Sequence, residues 1–401
     1  MTNLLRGVTV VETGVLMTVD HLGRLLGDEG ADVVKVETPQ RGDYLRNIMT
    51  RFAPDWSAFH VALNRNKRSL TCDARTPEGQ EVMRRLLARA DVFITGNIAD
   101  TNRALGLDYD AVAAVQPGIV YCQATGFGAT GPYAEVPTHG QMMDALGGGA
   151  APMALDECGH VVVTGDAPAA SGGVVIGPLY AAFGVACALA RARLSGEGCY
   201  LDVSCADAVL AAHWLDALPV FNPDKVDRDW NGKSPGDSAK YQHYETKDGR
   251  FVLFCAIEPK FWEHWCRAVG REDLVADHRH DLVVDFAGGE DALRDELQRV
   301  FHTRTQAEWV QLAVEHDIAL GPALRLDEAP DDPHLRARGQ LVAEQHPALG
   351  DLLTFGNPVV VPGEEFTVRS APALGQHTDE VLHELGYDTE GREHLHALGI
   401  V

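Results

Sequence analysis

The chain has 401 residues, 45% of them hydrophobic, and a formal net charge of -24. That length can bury a large core and divide into two domains. A surface this acidic repels nucleic acid and anionic membranes, which excludes both as partners but leaves room for an anionic small ligand in a local basic pocket.

Eight cysteines, Cys72, Cys122, Cys158, Cys187, Cys199, Cys205, Cys255 and Cys266, form no CxxC pair and no His/Cys cluster of zinc spacing, so no metal site is expected. Met1–Gly7 lacks the apolar core of a signal peptide. Gly172–Ala192 is apolar, but its glycines, its proline and the Arg191-Ala-Arg193 into which it runs suit a buried helix better than a membrane span. The expectation is a reduced, soluble, cytoplasmic protein.

In chain order, Val8–Glu12 is a short β-type run, followed by Gly14 and a helical pattern through Leu22, Leu25 and Leu26 to Gly30. Ala31–Glu37 is a second strand ended near Pro39, giving a strand–helix–strand unit of crossover size. Gly14 stands alone, without the GxGxxG of a dinucleotide fingerprint. Asn64–Ser69 holds Arg65, Lys67 and Arg68, a basic cluster that is either a solvated patch or a phosphate site. Leu70–Asp73 reads as a strand. Thr76 then caps a helix with Pro77 in its first turn and Glu78 near its positive end. Asp91–Thr95 and Gly118–Cys122 are further strands, linked by Asn97 and a helical stretch through Arg103 and Tyr109. Short apolar strands alternating with helices predict a doubly wound α/β domain.

The segment Tyr121–Tyr180 concentrates the chemistry. It breaks at Thr125–Tyr133, which contains Gly126 and Gly128, and continues through His139, Gly147–Gly149 and Val161–Asp166 into a small-residue helix from Gly172. Glycine lets a ligand approach the backbone closely, and His139 and Asp166 are isolated ionisable groups in glycine-rich, apolar surroundings. Both are candidate site residues. The alternative for Asp166 is a cap on the following helix.

Tyr200–Ser204 is a strand and Ala206–Leu218 a helix, after which Asn222–Ala239 changes to polar and turn-forming composition and marks a domain crossing. Asp248-Gly249 predicts a hairpin turn, with Phe251–Ala256 as the returning strand. Pro259–Val269 is an aromatic helix, Glu290–Val300 and Thr305–Glu315 are shorter helices, and Ile318–Pro322 is an edge strand or loop. The expected domains are a large one over 1–222, a small α+β domain over 223–330, and a return segment over 331–401 that completes the first. Near the end, Thr378 is expected to cap a helix, with His377 and His383 on the surface.

Several stretches in order resemble the class III CoA-transferase family (CaiB/BaiF type), which includes the α-methylacyl-CoA racemases. They are Gly7–Glu12, Leu25–Glu37, Asn64–Ser69, Thr125–Tyr133, Gly177–Gly184, Arg193–Ser204, Tyr244–Arg250 and Leu374–Leu382. The resemblance spans nearly the whole chain. It implies a Rossmann-like large domain built from both chain ends, a smaller middle domain, and an interlocked homodimer. It also implies an acyl-CoA and a carboxylic acid as substrates, with coenzyme A a substrate and product rather than a permanently bound cofactor.

By the same resemblance, Asp166 is the nearest counterpart of the catalytic aspartate, though it stands several residues further ahead of Gly184 than the family spacing, and Ser171 lies nearer the usual place. The aspartate would attack the acyl-CoA thioester to give a mixed anhydride and then an aspartyl-CoA thioester, with N–H groups of Thr125–Gly131 or Gly172-Gly173 stabilising the oxyanions. Val15, Leu16, Met17 and Thr18 match the adenine and pantetheine side, Arg65, Lys67 and Arg68 a phosphate loop, and Asn97 a CoA contact. Arg41 and Arg103 are the nearest replacements for family arginines displaced by Thr38 and Ala104. His139 falls where the racemase histidine is expected, so an α-methylacyl-CoA racemase using His139 and Asp166 for proton transfer is the alternative. Gly140 after His139 and Ala167-Pro168 after Asp166 depart from the racemase pattern. A non-catalytic acyl-CoA-binding protein is the second alternative.

Overall fold

The computed structural model describes residues 1–150, 152–164, 172–226, 238–275 and 284–401. They fall into two compact units, Met1–Pro223 with Ala337–Val401, and Asp224–Arg336.

The first unit runs through β1 (Thr9–Thr13), α1 (Met17–Asp28), β2 (Asp32–Glu37), β3 (Arg51–Ala53), β4 (Trp56–Ser57), α2 (Ala58–Asn64) and β5 (Lys67–Thr71). It continues with α3 (Pro77–Leu87), β6 (Val92–Thr95), α4 (Ala99–Ala104), α5 (Tyr109–Val115), β7 (Val120–Thr125) and α6 (Gly140–Leu146). Then come β8 (Met153–Leu155), β9 (Val161–Val163), α7 (Gly172–Ser195), β10 (Cys199–Ser204), α8 (Cys205–Ala212) and α9 (Trp214–Phe221).

Six strands form one parallel sheet in the order β5-β2-β1-β6-β7-β10. Counted along the chain, this is the 3-2-1-4-5-6 order of a doubly wound, Rossmann-like sheet. Its strands are apolar on both faces because helices cover both. Val10, Val33, Ile94 and Cys122 join the core that includes Leu22 and Leu26 of α1 and Ala181 and Val185 of α7. Val11, Val34, Phe93 and Tyr121 join the opposite core with Val82 and Leu86 of α3. Thr76 caps α3 as its sequence predicts, accepting from the Gly79 N–H, with Pro77 in the first turn.

The second unit contains β11 (Tyr241–Glu245), β12 (Phe251–Cys255), α10 (Pro259–Val269), α11 (Asp291–Phe301), α12 (Gln306–His316) and β13 (Leu320–Ala323). Its three strands form an antiparallel sheet in that order, so Leu320–Ala323 is a paired strand rather than a loop. The β11–β12 turn is made by Asp248-Gly249, with Gly249 at φ +71°, a conformation glycine adopts without a Cβ penalty. Trp262, Trp265, Phe301 and Trp309 are buried around Phe254.

After α13 (Pro333–Ala337), the chain forms the hairpin β14 (Leu341–His346) and β15 (Gly350–Phe355) and ends with α14 (Thr378–Glu384) and α15 (Thr389–Ala397). The sequence did not predict that hairpin. His377 and Thr378 also differ from expectation. The Ser69 N–H donates to His377 Nδ1 at 3.2 Å, the His377 N–H to the Ser69 carbonyl at 3.0 Å, and the Thr71 N–H to Thr378 Oγ1 at 3.0 Å. His377 is therefore half-buried and Thr378 is no cap: both satisfy the backbone of β5, which is paired on one side by β2 and is the edge of the sheet among the described residues.

Candidate functional site

The sheet order reverses between β1 and β6, and the helices α1 and α5 that follow these strands pack into opposite cores of the sheet. Open α/β sheets bind ligands at this point, outside the carboxyl ends of the strands. A cleft of about 2130 Å³ lies at this end, walled by the loops after β1, β6 and β7 together with α6 and the first half of α7. The loops after β1 and β6 touch: Gly14 sits at φ +133°, and a Cβ there would lie 3.1 Å from the Gly96 nitrogen.

Leu16, on the cleft wall, has φ 70° and ψ -168°, a region almost confined to glycine. Such strain costs about 1–3 kcal/mol and persists only where the surroundings impose it. Here the Leu16 N–H donates to both carboxylate oxygens of Asp43, at 3.0 and 3.1 Å. Asp43 is in turn held by the Lys35 ammonium at 2.9 Å. Lys35 also contacts Asp20, and Glu12 at 3.1 Å, while Lys67 reaches Glu12 at 2.8 Å and the Asp20 carbonyl at 2.8 Å. All five of these side chains are 0% exposed.

Three carboxyl groups thus share two ammonium groups. Burial pushes Asp20 well above the usual carboxyl range, with Asp43 and Glu12 adding to the effect and the two lysines opposing it. Burial also opposes the charge on Lys35, but the surrounding carboxylates overcome it and raise its pKa. Asp43 is held below its ordinary value, because Lys35 and backbone N–H donors outweigh its burial.

On the other side of the cleft, Gly126 follows β7. A Cβ there would lie 2.1 Å from Thr138 Oγ1, so Thr138 rests against bare backbone and brings His139 to the wall. His139 is exposed and occupies the N-cap position of α6 without a capping side-chain bond. One turn on, Asp144 is buried, and its Oδ1 accepts the Gly173 N–H at 2.7 Å. The first turn of α7 is therefore tied to α6 by Asp144, and the Gly173 N–H expected to serve an oxyanion is already engaged.

Among the sequence-derived candidates, Val15, Leu16, Met17, Thr18, Asn97, Gly126 and His139 line this one cleft. Asn97 is oriented by Asn102, to whose Oδ1 its side-chain amide donates at 3.2 Å. Gly128 lies off the cleft, in a turn where Asp202 accepts the Ala129 N–H at 2.7 Å. Arg41 stacks 4.1 Å over the Tyr44 ring and Arg103 pairs with Asp100; both are exposed and off the cleft. Asp166 and Ser171 lie outside the described residues.

The basic cluster sits differently from the phosphate loop expected of it. Arg65 grips Asp28 through Nε at 3.1 Å and Nη2 at 2.8 Å. Lys67 is in the buried cluster with Glu12, and Arg68 joins Asp32 to Glu380 and Glu384. None of the three lines the cleft. Each finds a carboxylate distant in sequence, and burying an arginine or lysine requires such a partner.

The structure adds Asp144, His21 and Arg24 to the wall, with Arg24 the one lysine or arginine among the described lining residues. Burial drives the His21 imidazole down to about 4, so it is neutral near pH 7. The signal in the sequence was His21, Arg24 and Asp28 at i, i+3 and i+7, which shares one face of a helix. Among the described residues, no group of three or more His, Cys, Asp or Glu side chains is placed to hold a metal ion.

Residues 5–378 match the family model for CoA-transferase family III. The chain is 27% identical over its full length to a formyl-CoA:oxalate CoA-transferase of Rhodopseudomonas palustris (strain BisA53), covering 97% of that protein. It is 30% identical to a succinyl-CoA–L-malate CoA-transferase beta subunit of Chloroflexus aurantiacus, covering 95% of this chain and 94% of that one. Among solved structures, a CaiB/BaiF family protein from Brucella suis is similar with a TM-score of 0.74 and 25% identity, over 96% of this chain and 100% of that one.

Proposed function

The chain belongs to CoA-transferase family III, and from that premise we propose that it moves coenzyme A from an acyl-CoA to a carboxylic acid in the cleft at the switch point, with Asp166 as nucleophile. The observation that carries the reading is the convergence of Val15–Thr18, Asn97, Gly126 and His139 on one wide, mainly apolar cleft where an α/β sheet takes its ligands. The Asp166 carboxylate attacks the thioester carbonyl, the C–S bond breaks, and CoA leaves as thiolate. The thiolate then attacks the aspartyl carbonyl of the mixed anhydride, releasing the donor as carboxylate and leaving an aspartyl-CoA thioester. An acceptor carboxylate reverses the two steps, so no net proton transfer is needed. His139, at the wall, binds the carboxylate of the donor or acceptor acid. Arg65, Lys67 and Arg68 act structurally, and CoA phosphates are met elsewhere.

The larger unit is the CoA-binding domain. Its exposed apolar surfaces support an interlocked homodimer: no residue of α9 is buried, and Trp214, Leu218 and Phe221 are each more than 60% exposed. All eight cysteines are free, which supports the reducing cytoplasm as its location.

The experiment is a trap. Enzyme incubated with a panel of acyl-CoA donors is quenched with hydroxylamine or borohydride and mapped by mass spectrometry. A donor-dependent derivative on Asp166, absent from Asp166→Ala, is expected. Turnover without any adduct, or α-deuterium wash-in from D2O without an acceptor acid, overturns the transferase assignment in favour of proton transfer by His139 and Asp166.

A further inference from the structure

Helix α7 forms a wall of the cleft through Val174, Val175 and Leu179. It also contains Pro178, one turn after Val174. Proline has no N–H, so the i→i−4 bond that would serve the Val174 carbonyl cannot form, and the ring crowds that carbonyl as well. A main-chain carbonyl deprived of its helical partner inside a protein needs another donor.

His21 of α1 supplies it. Its Nδ1 lies 3.0 Å from the Val174 carbonyl oxygen. Its Nε2 lies 2.9 Å from Arg24 Nη2. A carbonyl accepts and a guanidinium donates, so the two contacts fix one neutral tautomer, with the proton on Nδ1 and the lone pair on Nε2. Arg24 is anchored by Asp28 at 3.0 Å, and Asp28 by Arg65 at 2.8 Å. The relay runs from a buried ion cluster through a fixed imidazole to the one carbonyl of the α7 first turn that Pro178 leaves without its usual donor.

We infer that His21 is a positioning residue for the transferase site: it replaces the hydrogen bond removed by Pro178 and so fixes the first turn of α7 against α1. That turn also receives Asp144 at Gly173, so the α6 wall and the α7 wall are registered on the same few residues. In the sequence, Asp166 stands six residues before Gly172, the first described residue of α7. The inference rests on the proposed transfer reaction only for its kinetic consequence; the hydrogen-bond substitution stands or falls by itself.

The test is a cycle between His21→Phe and Pro178→Ala, because alanine at 178 restores the N–H that Val174 lacks. Hydrogen exchange in peptides covering 172–180 should rise in His21→Phe and return toward the Pro178→Ala level in the double variant. With a competent donor and acceptor, His21→Phe should lose about tenfold to a hundredfold in kcat, the scale of a small misplacement at a reacting centre, with KM changed by less than about threefold. Pro178→Ala should recover most of that loss. His21→Asn, whose amide nitrogen can approach the Nδ1 position, should keep more activity than His21→Gln, and this pair decides the matter if His21→Phe does not fold. If Pro178→Ala rescues neither exchange nor kcat, the inference is wrong. Rescue of exchange in a protein that transfers no CoA would instead overturn the proposed reaction and leave the hydrogen-bond assignment intact.

Discussion

Replacing Lys35 by Met tests the buried charge cluster beneath the cleft and its grip on the loop after β1. Lys35 is 0% exposed and faces Glu12, Asp20 and Asp43 together. Its removal leaves Lys67 as the only ammonium for three carboxyl groups, and Lys67 contacts the side chain of Glu12 but only the carbonyl of Asp20. Breaking a buried ion pair by deleting one partner costs about 3–5 kcal/mol, and a lysine serving three carboxyl groups belongs at the upper end. At roughly 2–4 °C per kcal/mol for a large domain, Tm should fall by about 10–20 °C. Asp43, freed from Lys35, should also release the strained Leu16 backbone and raise KM for acyl-CoA by about tenfold or more at temperatures where the variant remains folded. Urea and thermal unfolding followed by near-UV circular dichroism, with steady-state kinetics on the folded protein, give both numbers. Adding Asp43→Asn should recover about 1–3 kcal/mol of the lost stability, since it removes an unpaired buried charge. A Lys35→Met variant within about 1 kcal/mol of the parent, or one whose defect Asp43→Asn deepens, would refute the charge balance proposed for this cluster.

Acid should weaken the fold well before the carboxylates titrate. Burial holds His21 at about 4 and, with Arg46 nearby, His60 at about 3, both below the ordinary 6.5. The unfolded chain therefore takes up protons that the folded chain refuses: the contribution is complete above pH 6.5 and is lost progressively as pH falls toward 4 and 3. Together the two histidines should remove about 5 kcal/mol between pH 7 and pH 4.5, and a flat unfolding free energy over that range would contradict their burial as neutral groups. Gly177→Ala should destabilise by about 1–3 kcal/mol in denaturant titration, because its Cβ would lie 2.4 Å from Cys205 Sγ and 3.1 Å from the Cys205 backbone, so α7 and α8 must shift apart to admit it. Trp214→Asp with Leu218→Glu should convert the proposed dimer to a monomer in light scattering while the far-UV spectrum is kept; an unchanged mass would remove α9 from the interface.

Much of the fold was legible because its signals are local. The Thr76-Pro77 start of α3, the Asp248-Gly249 turn and the apolar strands Ala31–Glu37 and Asp91–Thr95 depend on dihedral preference, capping and burial within a few residues. The site was legible in part for the same reason. Loops at the carboxyl ends of parallel strands meet in a doubly wound sheet, so Val15–Thr18, Asn97 and Gly126 converge once their strands are recognised. What the sequence could not express is which charge meets which. Arg65, Lys67 and Arg68 resemble a phosphate loop along the chain, yet Arg65 pairs with Asp28, Lys67 with Glu12, and Arg68 with Asp32, Glu380 and Glu384. His377 reads as a surface group until β5 is seen to be an edge strand needing a backbone partner. His21 reads as one polar residue on a helix until Pro178, far along the chain, leaves a carbonyl for it to serve. By itself the sequence determined the alternation of elements, the absence of a dinucleotide fingerprint and the family to which its motifs belong. Only the tertiary structure decided which ionisable groups face the cleft and which neutralise one another beneath it, because Coulomb and hydrogen-bond energies depend on distances of a few ångströms that sequence separation does not encode.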